Sequence, residues 1–208
     1  MVFHPTYFSS ILQYAIIIQS DTIVFEVFDN YQKQTYRNRC YVYGANGKQT
    51  LNVPIQKKTG KQFTKDIKID YSFNWQLAHL KTLHSAYNSS PFFEYYIDDL
   101  QAIFSKKETF LIDLNFKTFD VIMNLLEEQK KILKTEDYHK EYKADYRFLV
   151  NAKNRTEFDL PKYRQVFDTK YNFLTNLSIL DLLFMEGTIA SIYLERLNIP
   201  QVINLSTT

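Results

Sequence analysis

The chain has 208 residues, of which 45% are apolar and 23% charged, and its formal net charge is +2. These values are those of one ordinary globular domain, and they exclude the disordered and collagen-like classes. With four glycines in the chain, a glycine-rich phosphate loop is nearly excluded. The single cysteine excludes an internal disulfide and a cysteine-based zinc site.

The first predicted elements are a short helix, a strand and a β-hairpin. Residues 9–19 have the composition of a helix, and the apolar run at 22–28 has that of a strand. Residues 39–44 and 48–55 flank Asn46-Gly47, a dipeptide that favours the positive φ angles of a tight primed turn. The sequence therefore predicts an antiparallel hairpin in the first quarter of the chain.

Helices dominate the middle of the chain, after a third predicted strand at 66–70. One helix, which should end near Pro91, has a ridge of four residues at i+4 spacing: Trp75, His79, Leu83 and Tyr87. Apolar residues at helical spacing predict two further helices at 93–104 and 116–126. Residues 146–150 return to a strand-like composition.

The C-terminal part begins with a helix start signal. Ser178 and Asp181 match a capping box before an apolar run, and Gly187 suits the end of that helix. A final helix is predicted at 189–197, ended by Pro200. Because strand and helix signals alternate, residues 1–208 are predicted to form a single α/β domain, with a mixed sheet, an antiparallel hairpin and flanking helices.

Neither a secretory signal nor a membrane span is predicted. The N-terminal residues lack the basic region and the long apolar run of a signal peptide. The longest apolar run near them, at 14–18, has five residues, whereas a bilayer requires about 20. The expected location is therefore the cytoplasm.

The common nucleotide-binding and metal-binding motifs are missing from the sequence. Gly60-Lys61 lacks the upstream glycine of a Walker loop, and neither Gly-x-Gly-x-x-Gly nor His-Glu-x-x-His occurs. His79 and His84 are five residues apart, so they do not share a helix face. No metal or cofactor is predicted, and Cys40, on the Val42 side of the hairpin, is expected to be a buried, unreactive thiol.

Charge is distributed unevenly along the chain. Residues 30–65 contain no Asp or Glu, and they carry eight cations: Lys33, Arg37, Arg39, Lys48, Lys57, Lys58, Lys61 and Lys65. The rest of the chain has 17 cations and 23 acids, a net charge of −6. This cationic segment predicts a local field for an anionic ligand rather than general affinity for nucleic acid.

The sharpest candidate site lies at the start of this segment. Period-two alternation puts Arg37, Arg39 and two tyrosines on one strand face, where two guanidiniums can hold a phosphate and tyrosine rings can pack a base or a sugar. The candidate binding residues of this region are Tyr31, Lys33, Arg37, Asn38 and Arg39. The alternative is a solvated edge strand, on which Lys and Arg prevent sheet-to-sheet aggregation.

The ridge that begins at Trp75 is interpreted mainly as core. His79 is the member of that ridge whose side chain could act as a general acid or base, and it is the candidate catalytic residue.

The order and spacing of several short motifs resemble the WbqC-like family along essentially the whole chain. The motifs are Gln19-Ser-Asp21, Tyr31-Gln-Lys33, Arg37-Asn-Arg39, Ala45-Asn-Gly47, Leu51-x-Val-Pro54, then Trp75, His79, Tyr87 and Pro91-Phe-Phe, and finally Leu160-Pro-x-Tyr163-x-Gln165 and Leu177-Ser-Ile-Leu-Asp-Leu-Leu-Phe184 with Gly187. The resemblance implies a bacterial protein associated with O-antigen or related surface polysaccharides, and it adds Tyr7 and Trp75 to the candidate binding residues.

One position departs from the family pattern. The family commonly opens with a strand followed by His-Gln-Pro-x-Tyr, and here Pro5 and Tyr7 fall on its Pro and Tyr. Phe3, not His4, stands where the family's histidine usually lies. His4 therefore does not inherit that residue's role by position, and only residues 1–3 precede the motif as a first strand.

Three functions compete on this sequence. The first is a transferase acting on a nucleotide-linked sugar, whose diphosphate Arg37 and Arg39 would hold with help from Lys33, while His79 or a tyrosine supplies an acid or base. The second is a non-catalytic binding or accessory protein of the same pathway. The third is a single-stranded nucleic-acid binder, which would show steep salt dependence with little nucleotide selectivity. The oligomeric state is left open.

Overall fold

The computed structural model of the chain describes residues 1–56, 59–152 and 158–204, so Lys57 and Lys58 of the cationic segment lie outside the described residues. Five strands are seen in these ranges: β1 Val2–Phe3, β2 Thr22–Phe25, β3 Arg39–Gly44, β4 Gly47–Asn52 and β5 Lys131–Lys134. Eight α-helices accompany them: α1 Ile11–Ile18, α2 Trp75–Tyr87, α3 Phe93–Ser105, α4 Leu111–Leu125, α5 Asp168–Tyr171, α6 Ile179–Glu186, α7 Ile189–Arg196 and α8 Ile199–Asn204.

The strands form two sheets. β2 lies between β1 and β5 in a parallel sheet, with Val24 opposite both Val2 and Leu133. β3 and β4 form a separate antiparallel hairpin. The predicted α/β class, with an antiparallel hairpin and flanking helices, is confirmed, and the parallel and antiparallel strands belong to different sheets.

Helix α1 is the centre of the core. All eight of its side chains are buried, as expected for a helix that is apolar on nearly every side. The Ser10 hydroxyl caps its first turn by accepting the main-chain N–H of Gln13. Helices α6 and α7 pack on α1, and buried apolar side chains from Phe3 to Val202 join in one hydrophobic cluster.

The helices of the first 130 residues lie close to their predicted positions. α1, α2, α3 and α4 overlap the predicted ranges, and α4 begins five residues before the predicted start at 116. The four residues of the α2 ridge are all buried. Their i+4 spacing therefore did identify the face of α2 that packs against the core.

The hairpin turn differs from the predicted one. Gly44 pairs with Gly47, so the two loop residues are Ala45 and Asn46. Neither has a positive φ, and Gly47 has φ 94°. The prediction of a primed turn at Asn46-Gly47 is therefore wrong. The two loop residues form an ordinary turn, and Gly47, which follows them, adopts the left-handed conformation.

The predicted strands at 66–70 and 146–150 are also wrong. The first segment begins at the end of a 3-10 turn, Thr64–Asp66. The residues after the turn form isolated bridges rather than a strand, from Ile69 to Ile55 and from Lys68 to Phe110. The second is itself a 3-10 turn, Arg147–Val150. It starts as a turn because the Asp145 carboxylate accepts the main-chain N–H of Arg147 at 3.0 Å.

Pro200 begins a helix rather than ending one. It is the second residue of α8, and α7 has already ended at Arg196. Proline is accepted in the first turn of a helix because its missing N–H would have no helical partner there. None of the described helices combines the length and the apolar character needed to cross a bilayer.

Candidate functional site

A cavity of about 930 Å³ opens between the base of the hairpin and two neighbouring loops. Its walls are mostly amide side chains and cations, together with one phenol. The lining residues are Asn30, Tyr31, Lys33, Gln34, Asn38, Arg39, Asn52, Ile55, Gln56, Thr59, Gly60, Lys61 and Gln62. Four of the sequence-predicted site residues are brought together here: Tyr31, Lys33, Asn38 and Arg39.

The described lining of the cavity carries positive charges and no negative one. Its described lining includes Lys33, Arg39 and Lys61 and no Asp or Glu. None of these three cations forms an ion pair with a described residue. The Arg39 Nε atom is buried and has no hydrogen-bond partner among the described residues. Unpaired cations on a concave wall attract an anionic ligand.

Arg37 does not line the cavity. Its side chain is 1% exposed and hydrogen-bonds to the Asp29 carboxylate. A buried guanidinium requires such a partner, because an unpaired charge in the interior is very costly. A clamp made by Arg37 and Arg39 together is therefore not formed at this cavity, since residue 37 precedes the first residue of β3 and does not follow its alternation.

Asp29 joins the two loops that flank the cavity. Besides Arg37, its carboxylate accepts the Thr64 hydroxyl at 2.6 Å, and its main-chain carbonyl accepts the Thr64 N–H at 2.9 Å. The His4 Nε2 atom lies 3.6 Å from the same carboxylate. Burial, followed by the charges of Arg37 and Arg147, lowers the pKa of His4 well below its usual value, so this imidazole is neutral at pH 7.

His79 and Tyr7 form the support behind the cavity wall. The Tyr7 hydroxyl and the His79 Nδ1 atom are 2.9 Å apart, and the imidazole also faces the main-chain carbonyl of Asn52. Because that carbonyl only accepts, the ring nitrogen that faces it carries the proton, and Nδ1 accepts from Tyr7. Burial lowers the pKa of His79 to about 4, which keeps the ring neutral.

Trp75 also lies behind the wall rather than in it. Its indole is 1% exposed and packs edge-on against His79, with ring centroids 5.1 Å apart. The structure therefore divides the predicted site residues into two groups. Four of them line the cavity, and the other four, Tyr7, Arg37, Trp75 and His79, are buried outside it.

Several cavity residues were missed from the sequence. Lys61 was noted only as part of the cationic segment, and five amides were not singled out: Asn30, Gln34, Asn52, Gln56 and Gln62. Gln34 has φ 61°, an uncommon conformation for a residue with a side chain. Such outliers gather at ligand sites, but the sequence gives no sign of it.

The sequence model of the WbqC-like protein family matches residues 5–158 of the chain. The chain belongs to the WbqC-like family. No curated protein and no solved structure matches this WbqC-like protein. The matched range contains the whole cavity and the residues that support it, whereas helices α5 to α8 follow it in the chain.

A second buried polar cluster in this WbqC-like protein surrounds Asp181. Its carboxylate accepts the hydroxyls of Tyr87 at 2.6 Å and Tyr163 at 2.5 Å and the Gln165 amide at 2.9 Å. Burial raises the pKa of Asp181. Ser178 caps α6 by accepting the Leu180 N–H at 3.4 Å, but Asp181 does not complete the predicted capping box, because its oxygens are held by the three side chains.

The described residues contain neither a cluster suited to a metal ion nor an exposed thiol. Within the described ranges, no group of three or more His, Cys, Asp or Glu side chains is placed to hold a metal ion. Cys40 is buried, and burial raises the pKa of its thiol. The predicted burial of Cys40 is confirmed, and its predicted lack of reactivity stays a prediction.

Proposed function

We propose that this WbqC-like protein binds a phosphorylated small molecule of the nucleotide-sugar type in the cavity, and that it serves bacterial surface-polysaccharide synthesis from the cytoplasm as a transferase. The observation that carries the proposal is a lining with three cations and no described acid, and none of these cations forms an ion pair with a described residue. The polysaccharide pathway comes from what the family resemblance implies.

The chemistry of the lining suits the two parts of such a ligand. Arg39 offers a planar, two-pronged donor for phosphate oxygens, and Lys33 and Lys61 add point charges. Amide side chains both donate to and accept from sugar hydroxyls, and Tyr31 provides a ring for a base or sugar to pack on. A volume of about 930 Å³ is within the usual range for small-molecule sites.

In a transfer reaction, the same cations would stabilise a departing diphosphate as its negative charge develops. His79 lies behind the wall, so we assign it a supporting role there rather than proton transfer in the cavity. A non-catalytic binding role in the same pathway is the second candidate. It is favoured by a described lining whose polar groups are amides, cations, one phenol and one hydroxyl.

The test is titration calorimetry of the wild type, Arg39→Ala and Arg39→Lys against nucleotide sugars and plain nucleotides, with Arg196→Lys as the control. Arg196 is exposed and lies in the last turn of α7, away from the cavity. Losing one charge-assisted hydrogen bond costs about 1.5–3 kcal/mol, more than tenfold in affinity. We therefore expect Arg39→Lys to bind at least about tenfold more weakly although its charge is kept.

Two results would overturn the proposal: no heat with any ligand, or equal affinity in wild type and Arg39→Lys. A single-stranded RNA included in the same series distinguishes a nucleic-acid binder from a protein that binds small phosphorylated ligands. Tight RNA binding with a steep salt dependence and no preference among nucleotides would replace the small-ligand assignment with a nucleic-acid one.

A further inference from the structure

Two amides in the cavity wall donate hydrogen bonds from their side-chain nitrogens to the protein. The Asn38 Nδ2 atom donates to Asn52 Oδ1 at 3.2 Å and to the Val53 carbonyl at 2.9 Å, which uses both of its hydrogens. The Gln56 Nε2 atom donates to the Ile69 carbonyl at 3.2 Å. Each of these side chains therefore has its oxygen left over.

Neither oxygen has a donor among the described residues. Asn38 Oδ1 is buried and unpaired, and no described group donates to Gln56 Oε1. Asn38 Oδ1 is a buried acceptor without a donor, which is rare in native proteins and calls for an explanation, whereas Gln56 is exposed and its oxygen is open to a ligand. In the wall of a cavity, the simplest explanation is a donor supplied by the ligand.

The protein also prevents the Asn38 amide from turning over. A flipped Asn38 would set its oxygen against the Val53 carbonyl and the Asn52 oxygen, so that acceptors would face acceptors. Asn52 belongs to strand β4, and its main-chain carbonyl faces the His79 imidazole. The Gln56 main-chain N–H is fixed by the Lys68 carbonyl at 2.9 Å.

Phosphate and sugar make opposite demands on such a wall. An ionised phosphate only accepts, so the cations satisfy it and the amide oxygens do not. A sugar hydroxyl donates as well as accepts. We propose that Asn38 and Gln56 recognise hydroxyl groups of a carbohydrate, so that the cavity selects a sugar-linked phosphate over the same nucleotide without its sugar. This rests on the proposed function, because it assumes that the cations hold the phosphates.

Charge alone would give the opposite preference. UDP carries a terminal phosphate with one more negative charge than the diphosphate of UDP-glucose. A cavity that responds only to Lys33, Arg39 and Lys61 therefore binds UDP more tightly. If the amide oxygens recognise the sugar, UDP-glucose binds more tightly in spite of its lower charge.

The experiment measures both members of three pairs by titration calorimetry: UDP and UDP-glucose, GDP and GDP-mannose, dTDP and dTDP-glucose. In at least one pair, we expect the wild type to bind the sugar-linked member at least about fivefold more tightly, the size of one net hydrogen bond. Gln56→Met removes the oxygen and also the partly buried hydrogen bond to the Ile69 carbonyl, so its unfolding midpoint is measured beside that of the wild type to show that it is folded. It should lose most of that preference and keep its affinity for the sugar-free diphosphate.

Gln101→Met is the matched control, since Gln101 is exposed on α3 and outside the cavity. Asn38→Leu serves as a second variant if its unfolding midpoint shows that it is folded. Wild-type binding of every diphosphate at least as tightly as its sugar-linked partner would overturn the selection and leave the anion site standing. If Gln56→Met keeps the full preference for the sugar-linked ligand, Gln56 does not take part in recognising the sugar. Heat from none of the six ligands would overturn the proposed function, and this inference with it.

Discussion

Asp29 and Arg37 stand at the two ends of the loop that supplies one wall of the cavity, and their side chains hydrogen-bond to each other in the interior. The loop between them carries Asn30, Tyr31, Lys33 and Gln34 into the lining. The pair thus closes a loop of seven residues at its base. Arg37 shapes the site by fixing where that loop begins and ends.

Removing one partner of this pair should destabilise the protein strongly. Arg37→Met leaves the Asp29 carboxylate buried without its guanidinium, and such a loss costs about 3–5 kcal/mol. The measurement is urea unfolding followed by circular dichroism. Lys117→Ala is the control, because its ion pair with Glu108 is partly exposed, and pairs of that kind contribute about 1 kcal/mol or less. Equal midpoints for the two variants would contradict a structural role for Arg37.

The neutral His79 should make stability depend on pH. Its pKa is about 4 in the folded chain and about 6.5 when unfolded. Between these values the unfolded chain binds the proton and the folded chain does not. Stability from this group is therefore complete above about pH 6.5 and falls as the pH drops towards 4, by up to about 3 kcal/mol.

His79→Gln, which keeps an N–H for the Asn52 carbonyl, should flatten that dependence in urea midpoints taken at pH 7 and pH 5. His139→Gln, at an exposed position, should leave it as in the wild type. His4, whose pKa is also lowered, will retain part of the effect in both variants. An undiminished slope in His79→Gln would show that folding does not lower the pKa of His79.

The carboxylate of Asp181 should matter more for stability than the cap at Ser178. Asp181→Ala leaves two buried tyrosine hydroxyls without their acceptor, and each unsatisfied group costs about 1–3 kcal/mol. Ser178→Ala removes an N-cap, for a typical loss of about 1 kcal/mol. Chemical unfolding of both variants shows which one loses more stability. A larger loss in Ser178→Ala would contradict the greater importance of the Asp181 carboxylate.

Cys40 should react with a thiol reagent only after unfolding. The sulfur is buried and its thiol has a raised pKa, so the reactive thiolate is scarce and shielded in the folded chain. Absorbance with DTNB should rise slowly in native buffer and at once in guanidinium chloride, to one equivalent per chain. Rapid labelling of the native protein would show that β3 opens.

The sequence predicts those features whose cause is local. Helix α2 was predicted because one face repeats every fourth residue, and Arg39 was found because no acid lies near it in the chain. Arg37 has the same sequence surroundings, yet it is buried, because its partner Asp29 reaches it only through the folded loop. The amides of the cavity come from distant turns, and nothing in their spacing predicts that Gln56 and Asn38 share a wall.

The burial of α1 bears on where the protein can be divided. The family match ends at residue 158, but α6 and α7, which cover α1, lie beyond it. All eight side chains of α1 are buried in the full chain. A fragment cut at the family boundary would thus expose to water the part of this largely apolar helix that α6 and α7 cover, and other copies would associate with it. We therefore expect a stable fragment to include α6 and α7, and so to extend beyond residue 158, where the family match ends.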